Sequence, residues 1–206
     1  MTSDQYQMPR SFSPRSALIL RLTRPTAKIF LSLVFKIETH GQENLPNQSG
    51  FILLAKHRRW EDIPLLSLAT PRPLYYVAKY ELFLNPVSRW FVSSLGGLPL
   101  NRSRPLQSRQ SLKSMVDLLE KGEGIVIFPE GTYYRRRMGP GHAGLIRMIQ
   151  SRCSVPFIPV GINYVAKHAR TLVEINFGRT IYEGASDRVQ TLLDLVMKEI
   201  ARLSGF

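Results

Sequence analysis

From about Lys36 onward, short apolar and β-branched runs alternate with stretches whose apolar residues recur at helical spacing. Gly50 to Ala55, Leu74 to Lys79, Gly124 to Phe128 and Phe157 to Val165 read as strands, and a shorter apolar run follows Gly96-Gly97. Asn85-Pro86 supplies an N-cap and a proline for a first helical turn, starting a helix through Trp90 and Phe91 that the double glycine ends. Gln107 to Lys121 carries Leu112, Met115, Val116 and Leu119 at helical spacing, with Gly122 and Gly124 marking the stop. After Ser186-Asp187, residues Val189, Leu192, Leu193, Val196, Ile200 and Leu203 fall on one helical face and read as core packing. This alternation predicts an α/β layer fold, with no repeat, low-complexity tract or Gly/Ser linker to divide it.

Upstream of this pattern, Ser16 to Ile37 holds two apolar patches, Ala17 to Leu20 and Ile29 to Phe35, separated by a stretch containing Arg21, Arg24, Pro25 and Lys28. Neither reaches the ~20 apolar residues that span a bilayer. No small-residue cleavage site follows, so the segment is expected to stay on the mature protein. Interleaved basic and apolar residues can lie in the headgroup plane. Residues 1–36 are therefore expected to form a basic amphipathic membrane-docking segment ahead of a domain at 37–206; the alternative is a helix that merely covers the core.

A chain of 206 residues, 44% hydrophobic, can bury one ordinary core. Its 28 Lys+Arg against 15 Asp+Glu leave a net charge of +13, which implies an anionic partner: nucleic acid, a phospholipid surface or a phosphorylated substrate. The single Cys153 excludes an intramolecular disulfide framework, and without a Cys/His cluster no metal site is expected. A reducing, cytosol-facing location fits, with Cys153, in the apolar-rich stretch from Ile146 to Pro159, a buried structural thiol. His40, His142 and His168 have no nearby partner pattern and read as structural or surface residues.

The chemistry concentrates where strands end. In Phe51-Ile-Leu-Leu-Ala-Lys-His57-Arg58-Arg59-Trp60-Glu61-Asp62 a buried strand runs into a histidine, with an aspartate five residues later. A turn there would bring Asp62 back to one ring nitrogen, fixing the tautomer and leaving the other nitrogen to take a proton from a hydroxyl. Gly96-Gly97-Leu98-Pro99-Leu100-Asn101-Arg102-Ser103-Arg104 delivers two arginines whose planar forks suit phosphate oxygens, or which simply share one exposed face. Gly124-Ile125-Val126-Ile127-Phe128-Pro129-Glu130-Gly131-Thr132 stops abruptly, and ligand sites of open α/β sheets lie beyond such carboxyl ends. Glu130 is then expected to face the same crevice as His57, Asp62 and Arg102, with Gly131 allowing close backbone approach and Thr132 adding a hydroxyl. Phe157, Ile158 and Pro159 are candidates for an acyl-chain groove or for core.

Taken in order, His57/Asp62, Gly97 to Arg102, Phe128 to Thr132 and Val155 to Pro159 resemble the four motif blocks of the glycerolipid acyltransferases, within them most nearly the 1-acylglycerol-3-phosphate acyltransferases. The resemblance runs from about Gly41 to Tyr164, and Gly41-Gln-Glu-Asn-Leu-Pro46 resembles the usual lead-in. It implies a glycerol-3-phosphate acyltransferase-like α/β fold, a mixed sheet flanked by helices, preceded by a membrane-docking helical segment. It implies that His57 deprotonates the free glycerol hydroxyl, Asp62 orients His57, Arg102 binds the acceptor phosphate, and Glu130, Gly131 and Thr132 help position the acceptor. The product would be phosphatidate and the donor an acyl-carrier-protein or coenzyme A thioester. No metal or organic cofactor is required, because a thioester is already activated. The partners implied are a membrane lipid surface and a lysophospholipid, not nucleic acid, at the cytoplasmic face of a membrane in a peripheral or monotopic mode.

The chain departs from the family pattern in three places. Arg59 stands two after the histidine, where serine is frequent; Leu100-Asn101 precede Arg102, where a Phe and an acid are common; and Tyr133-Tyr134-Arg135-Arg136-Arg137 replaces a Phe-Lys-containing segment. Arg104, Arg135, Arg136 and Arg137 are further candidates for contacts to substrate phosphate, donor phosphates or membrane, against the plain alternative of a solvated charge run. Three rivals follow: an acyltransferase for a different lysolipid, a non-catalytic basic protein that binds membrane or nucleic acid, and a hydrolase using water with the same base.

Overall fold

A computed structural model of the chain describes residues 15–101, 109–167, 169–182 and 189–206. In chain order its elements are α1 (Ala17–Val34), β1 (Phe35–His40), β2 (Phe51–Ala55), α2 (Asp62–Ala69), β3 (Leu74–Lys79), α3 (Pro86–Ser94), β4 (Gly97–Leu100), α4 (Arg109–Glu120), β5 (Gly124–Ile127), α5 (Gly144–Gln150), β6 (Phe157–Ala166), β7 (Thr171–Phe177) and α6 (Val189–Leu203). The strands form one seven-stranded sheet in the order β1-β7-β6-β2-β5-β3-β4. Only β6 and β7 run antiparallel, so the sheet is mixed and helix-flanked as expected.

The central strand shows why the sequence folds this way. A strand alternates its side chains between two faces, so an uninterrupted apolar run requires cover on both. Phe51, Leu53 and Ala55 of β2 enter a core with Leu65 and Leu66 of α2. Ile52 and Leu54 enter a second core with Leu112 and Met115 of α4, Ile146 of α5 and Leu193 and Val196 of α6. The predicted stripe of α6 is thus core packing, with Leu192, Leu193, Val196 and Ile200 buried. Its last turn lies hard against β6, where a side chain in place of Gly161 would run into the Leu203 backbone.

Two strands went unanticipated, β1 and β7, and both lie at one side of the sheet. The apolar run ending in Phe35 spans two elements: α1 stops at Val34, and Phe35, 7% exposed, opens β1 opposite Thr171. Asn85 caps α3 as predicted, its Oδ1 accepting from Val87 N at 2.9 Å and Ser88 N at 3.2 Å.

Directly before β1, α1 is an amphipathic helix with no buried residue. Arg24 donates to the Ser67 and Thr70 carbonyls, Arg15 pairs with Glu123 at 2.9 Å, and Leu31 packs on the core. Leu18, Leu22, Ile29, Phe30 and Leu33 stay exposed, each by more than 60%. Among the described residues no helix is long and apolar enough to cross a membrane.

Candidate active site

β2 ends at Ala55, but Lys56 N still donates to Val160 O of β6 at 3.0 Å, so the sheet ladder positions the very next residue, His57. The chain then turns through Arg58 to Glu61 and enters α2 at Asp62. A carboxylate in the first turn of a helix is favourably placed against its dipole, and Asp62 is fully buried there. Its Oδ2 accepts from Arg58 N at 2.6 Å, Arg59 N at 2.8 Å and His57 Nδ1 at 3.0 Å. Its Oδ1 accepts from Tyr164 OH of β6 at 2.5 Å. Donors surround the carboxylate, which assigns the histidine proton to Nδ1 and leaves Nε2 as acceptor.

The imidazole is held on its faces too. Phe128, just past β5, stacks on it with ring centroids 3.8 Å apart and planes 15° apart, and Tyr133 tilts against it at 4.3 Å. His57 is 9% exposed. The imidazole thus has a fixed tautomer, a fixed plane and, among the described residues, an Nε2 without a hydrogen-bond partner, an arrangement that suits proton abstraction.

Parallel register explains how the third motif reaches the first. Leu54 of β2 is paired with Ile127 of β5, so residues three further on, His57 and Glu130, leave the sheet at the same level. The loop turns sharply: Gly131 N donates to Phe128 O at 3.0 Å around Pro129, and Gly131 takes φ +70°, a region that favours glycine. The Glu130 side chain does not face the crevice as expected. It is fully buried, both oxygens 2.7 Å from Lys56 Nζ, and it also accepts from His57 N at 3.2 Å and Gly139 N at 2.5 Å. Lys56 Nζ donates in addition to Tyr134 O at 2.8 Å, and Tyr134 N to His57 O at 3.0 Å. Burial pushes the Lys56 ammonium down from its usual range while Glu130 opposes this. The ion pair thus clamps the loop after β5 onto the histidine turn.

Several other expected residues fall elsewhere. Arg102, Arg104 and His168 lie outside the described residues. Gly131 is half-buried and Thr132 exposed, whereas Phe157, Ile158 and Pro159 are buried in the sheet, where β6 lies between β2 and β7 with both faces covered, and they line none of the cavities formed by the described residues. Cys153 is half-buried, its Sγ 3.7 Å from Ile149 O, rather than fully buried. His40 and His142 are exposed. An apolar cleft of about 530 Å³ does open beside Phe128, walled by Leu100, Ile127, Pro129, Leu145 and Met148.

Lys56, Phe128 and Tyr164 shape the site without having been singled out from the sequence. A lysine closing an apolar strand was a readable signal for Lys56; nothing local marks Tyr164, which lies 102 residues from Asp62.

Comparison with known proteins follows the same outline. Residues 36–163 match the family model described as Acyltransferase. A "1-acyl-sn-glycerol-3-phosphate acyltransferase" of Streptococcus pneumoniae is 27% identical over 80% of this chain and 64% of its own length, and one of Bacillus subtilis is 37% identical over 51% and 52%. A "Lyso-ornithine lipid O-acyltransferase" of Pseudomonas aeruginosa is 30% identical over 70% of this chain and 54% of its own. The match thus spans less than two thirds of the length of these relatives. The crystal structure of the 1-acyl-sn-glycerophosphate acyltransferase PlsC from Thermotoga maritima superposes with a TM-score of 0.69 at 23% identity, covering 91% of this chain and 78% of that one, a likeness of fold.

Proposed function

Since the chain belongs to the acyltransferase family, with the family model covering residues 36–163, we propose that it moves a fatty acyl group from a thioester to the free hydroxyl of 1-acylglycerol 3-phosphate, giving phosphatidate. The observation that carries this reading is the His57 Nδ1 to Asp62 Oδ2 contact of 3.0 Å, which leaves Nε2 as the one basic ring atom. Nε2 removes the hydroxyl proton as the oxygen attacks the thioester carbonyl. The carbonyl electrons move onto oxygen, return as the carbon–sulfur bond breaks, and the proton on Nε2 leaves with the thiolate. Asp62 holds the imidazolium that forms between these steps.

The apolar cleft beside Phe128 takes an acyl chain, and the exposed face of α1, with Leu18, Phe30 and Leu33, docks the protein on the surface where lysolipids reside. The donor is an acyl-carrier-protein or coenzyme A thioester. A second acceptor class, a lysolipid with another headgroup, is favoured by Leu100-Asn101 ahead of Arg102 and by the lyso-ornithine-lipid relative.

Radiolabelled acyl transfer in detergent micelles, with both thioesters and a panel of lysolipids, tests the reading. Labelled phosphatidate from the intact protein and a loss of about 10²–10⁴-fold in His57→Ala are expected. Product only from another lysolipid establishes the second class, and no product from any acceptor refutes both.

A further inference from the structure

Beside Asp62 lies a cavity of about 280 Å³ lined by Arg58, Arg59, Arg135, Arg136 and Tyr164. None of its four guanidinium groups forms an ion pair with any carboxylate among the described residues. Like charges so gathered repel one another and lose hydration, so an unoccupied cluster is costly and an anion relieves it. The walls are built rather than solvated at random. Arg58 donates to Ser204 O at 2.9 Å, lies over the Phe206 ring at 4.4 Å, and has an Nε that is buried and bonds to no described residue. Arg59 lies over the Tyr164 ring at 4.6 Å. Burial pushes the Arg58 guanidinium down, a penalty that a bound anion would offset.

We propose that this arginine cavity holds the phosphate of the donor's phosphopantetheine arm, the group shared by acyl-carrier-protein and coenzyme A thioesters. Its position chooses the donor over the acceptor, an argument that rests on the acyl-transfer reading above. Arg58 and Arg59 turn their backbone N–H groups to Asp62 Oδ2, Tyr164 turns its hydroxyl to Oδ1, and Arg135 follows Tyr134, whose N–H bonds to His57 O. The cavity therefore adjoins the Nδ1 side of the imidazole. The acceptor hydroxyl must approach Nε2, on the opposite side, and its phosphate lies only a few bonds away. A donor phosphate sits at the end of a long arm and can reach across. In the sheet, β6, which carries Tyr164, flanks β2 on one side, while β4, leading to Arg102, lies beyond β5 and β3 on the other.

The test uses Arg135→Ala/Arg136→Ala, since both side chains are exposed and their removal leaves the core intact. Phosphopantetheine is titrated into the intact protein and the variant by calorimetry, and KM is measured separately for donor and acceptor in neutral-detergent micelles. Weaker phosphopantetheine binding by roughly tenfold or more in the variant, and a matching rise in donor KM with acceptor KM unmoved, is the expected result. Equal binding by both proteins, or a rise in acceptor KM with donor KM unmoved, overturns the proposal. The binding arm needs no turnover, so it reads the cavity even if the chain transfers no acyl group. Loss of binding only to anionic vesicles, with phosphopantetheine affinity unchanged, reassigns the arginines to lipid headgroups and equally overturns it.

Discussion

Replacing Lys56 by Met separates a structural role of Glu130 from contact with the acceptor. Met keeps much of the lysine stem's volume but removes the ammonium that sits 2.7 Å from both Glu130 oxygens, with both side chains wholly excluded from solvent. Breaking a buried pair by deleting one partner costs about 3–5 kcal/mol, mostly because the remaining charge is stranded. Here His57 N and Gly139 N still serve the carboxylate, which argues for the lower part of that range, while the Tyr134 carbonyl loses a donor and argues against less. For a domain of this size about 3 kcal/mol corresponds to a fall in Tm of roughly 10 °C. Differential scanning calorimetry and acyl-transfer kinetics on Lys56→Met and Glu130→Gln should show both variants losing Tm and kcat together, since the clamp holds the histidine turn. If Glu130→Gln instead keeps its Tm within about 2 °C and raises only the acceptor KM, the clamp reading is wrong and Glu130 works on substrate.

Two further outcomes follow from single contacts. In Tyr164→Phe the Oδ1 atom of Asp62 loses its donor; burial, followed by the charge of Asp62, raises the Tyr164 pKa, so the hydroxyl stays a donor at any assay pH. A hydrogen bond to a charged group is worth about 1.5–3 kcal/mol, so kcat should drop roughly tenfold or more with little change in KM, and a change within twofold would show that the backbone N–H groups alone hold Asp62. Leu18→Ser/Phe30→Ser/Leu33→Ser removes side chains exposed by 67%, 67% and 69%. Sedimentation with anionic lipid vesicles should fall sharply while Tm stays put, since each buried apolar side chain is worth about 1.5–3 kcal/mol at a lipid surface; unchanged sedimentation would place docking elsewhere.

What the sequence made legible, and what it hid, divides along one physical line. Elements whose cause is local were readable: the buried runs of β2 and β5, the Asn85 cap of α3, and the one-sided apolar stripe of α6. The His57 and Asp62 pairing was also local, closed within a five-residue turn. β1 was missed because its apolar start, Phe35, continues a helical run, and its strand character comes from pairing with β7, more than a hundred residues away. Glu130 was misjudged for the same reason. The motif sets it at a strand end, but whether its carboxylate meets substrate or Lys56 depends on the β2–β5 register, and a slip of one residue would turn it to the other face. Tyr164 is the limiting case. Its register on β6 relative to β2, Ala55 opposite Val160, carries the strand two residues past the histidine's level and so places a hydroxyl on Asp62. A histidine–aspartate pair built from one turn but oriented by three strands is legible in sequence, while its support is not. Substitutions at Lys56, Phe128 and Tyr164 should therefore impair His57 although none of the three has a side chain that must touch the reacting atoms.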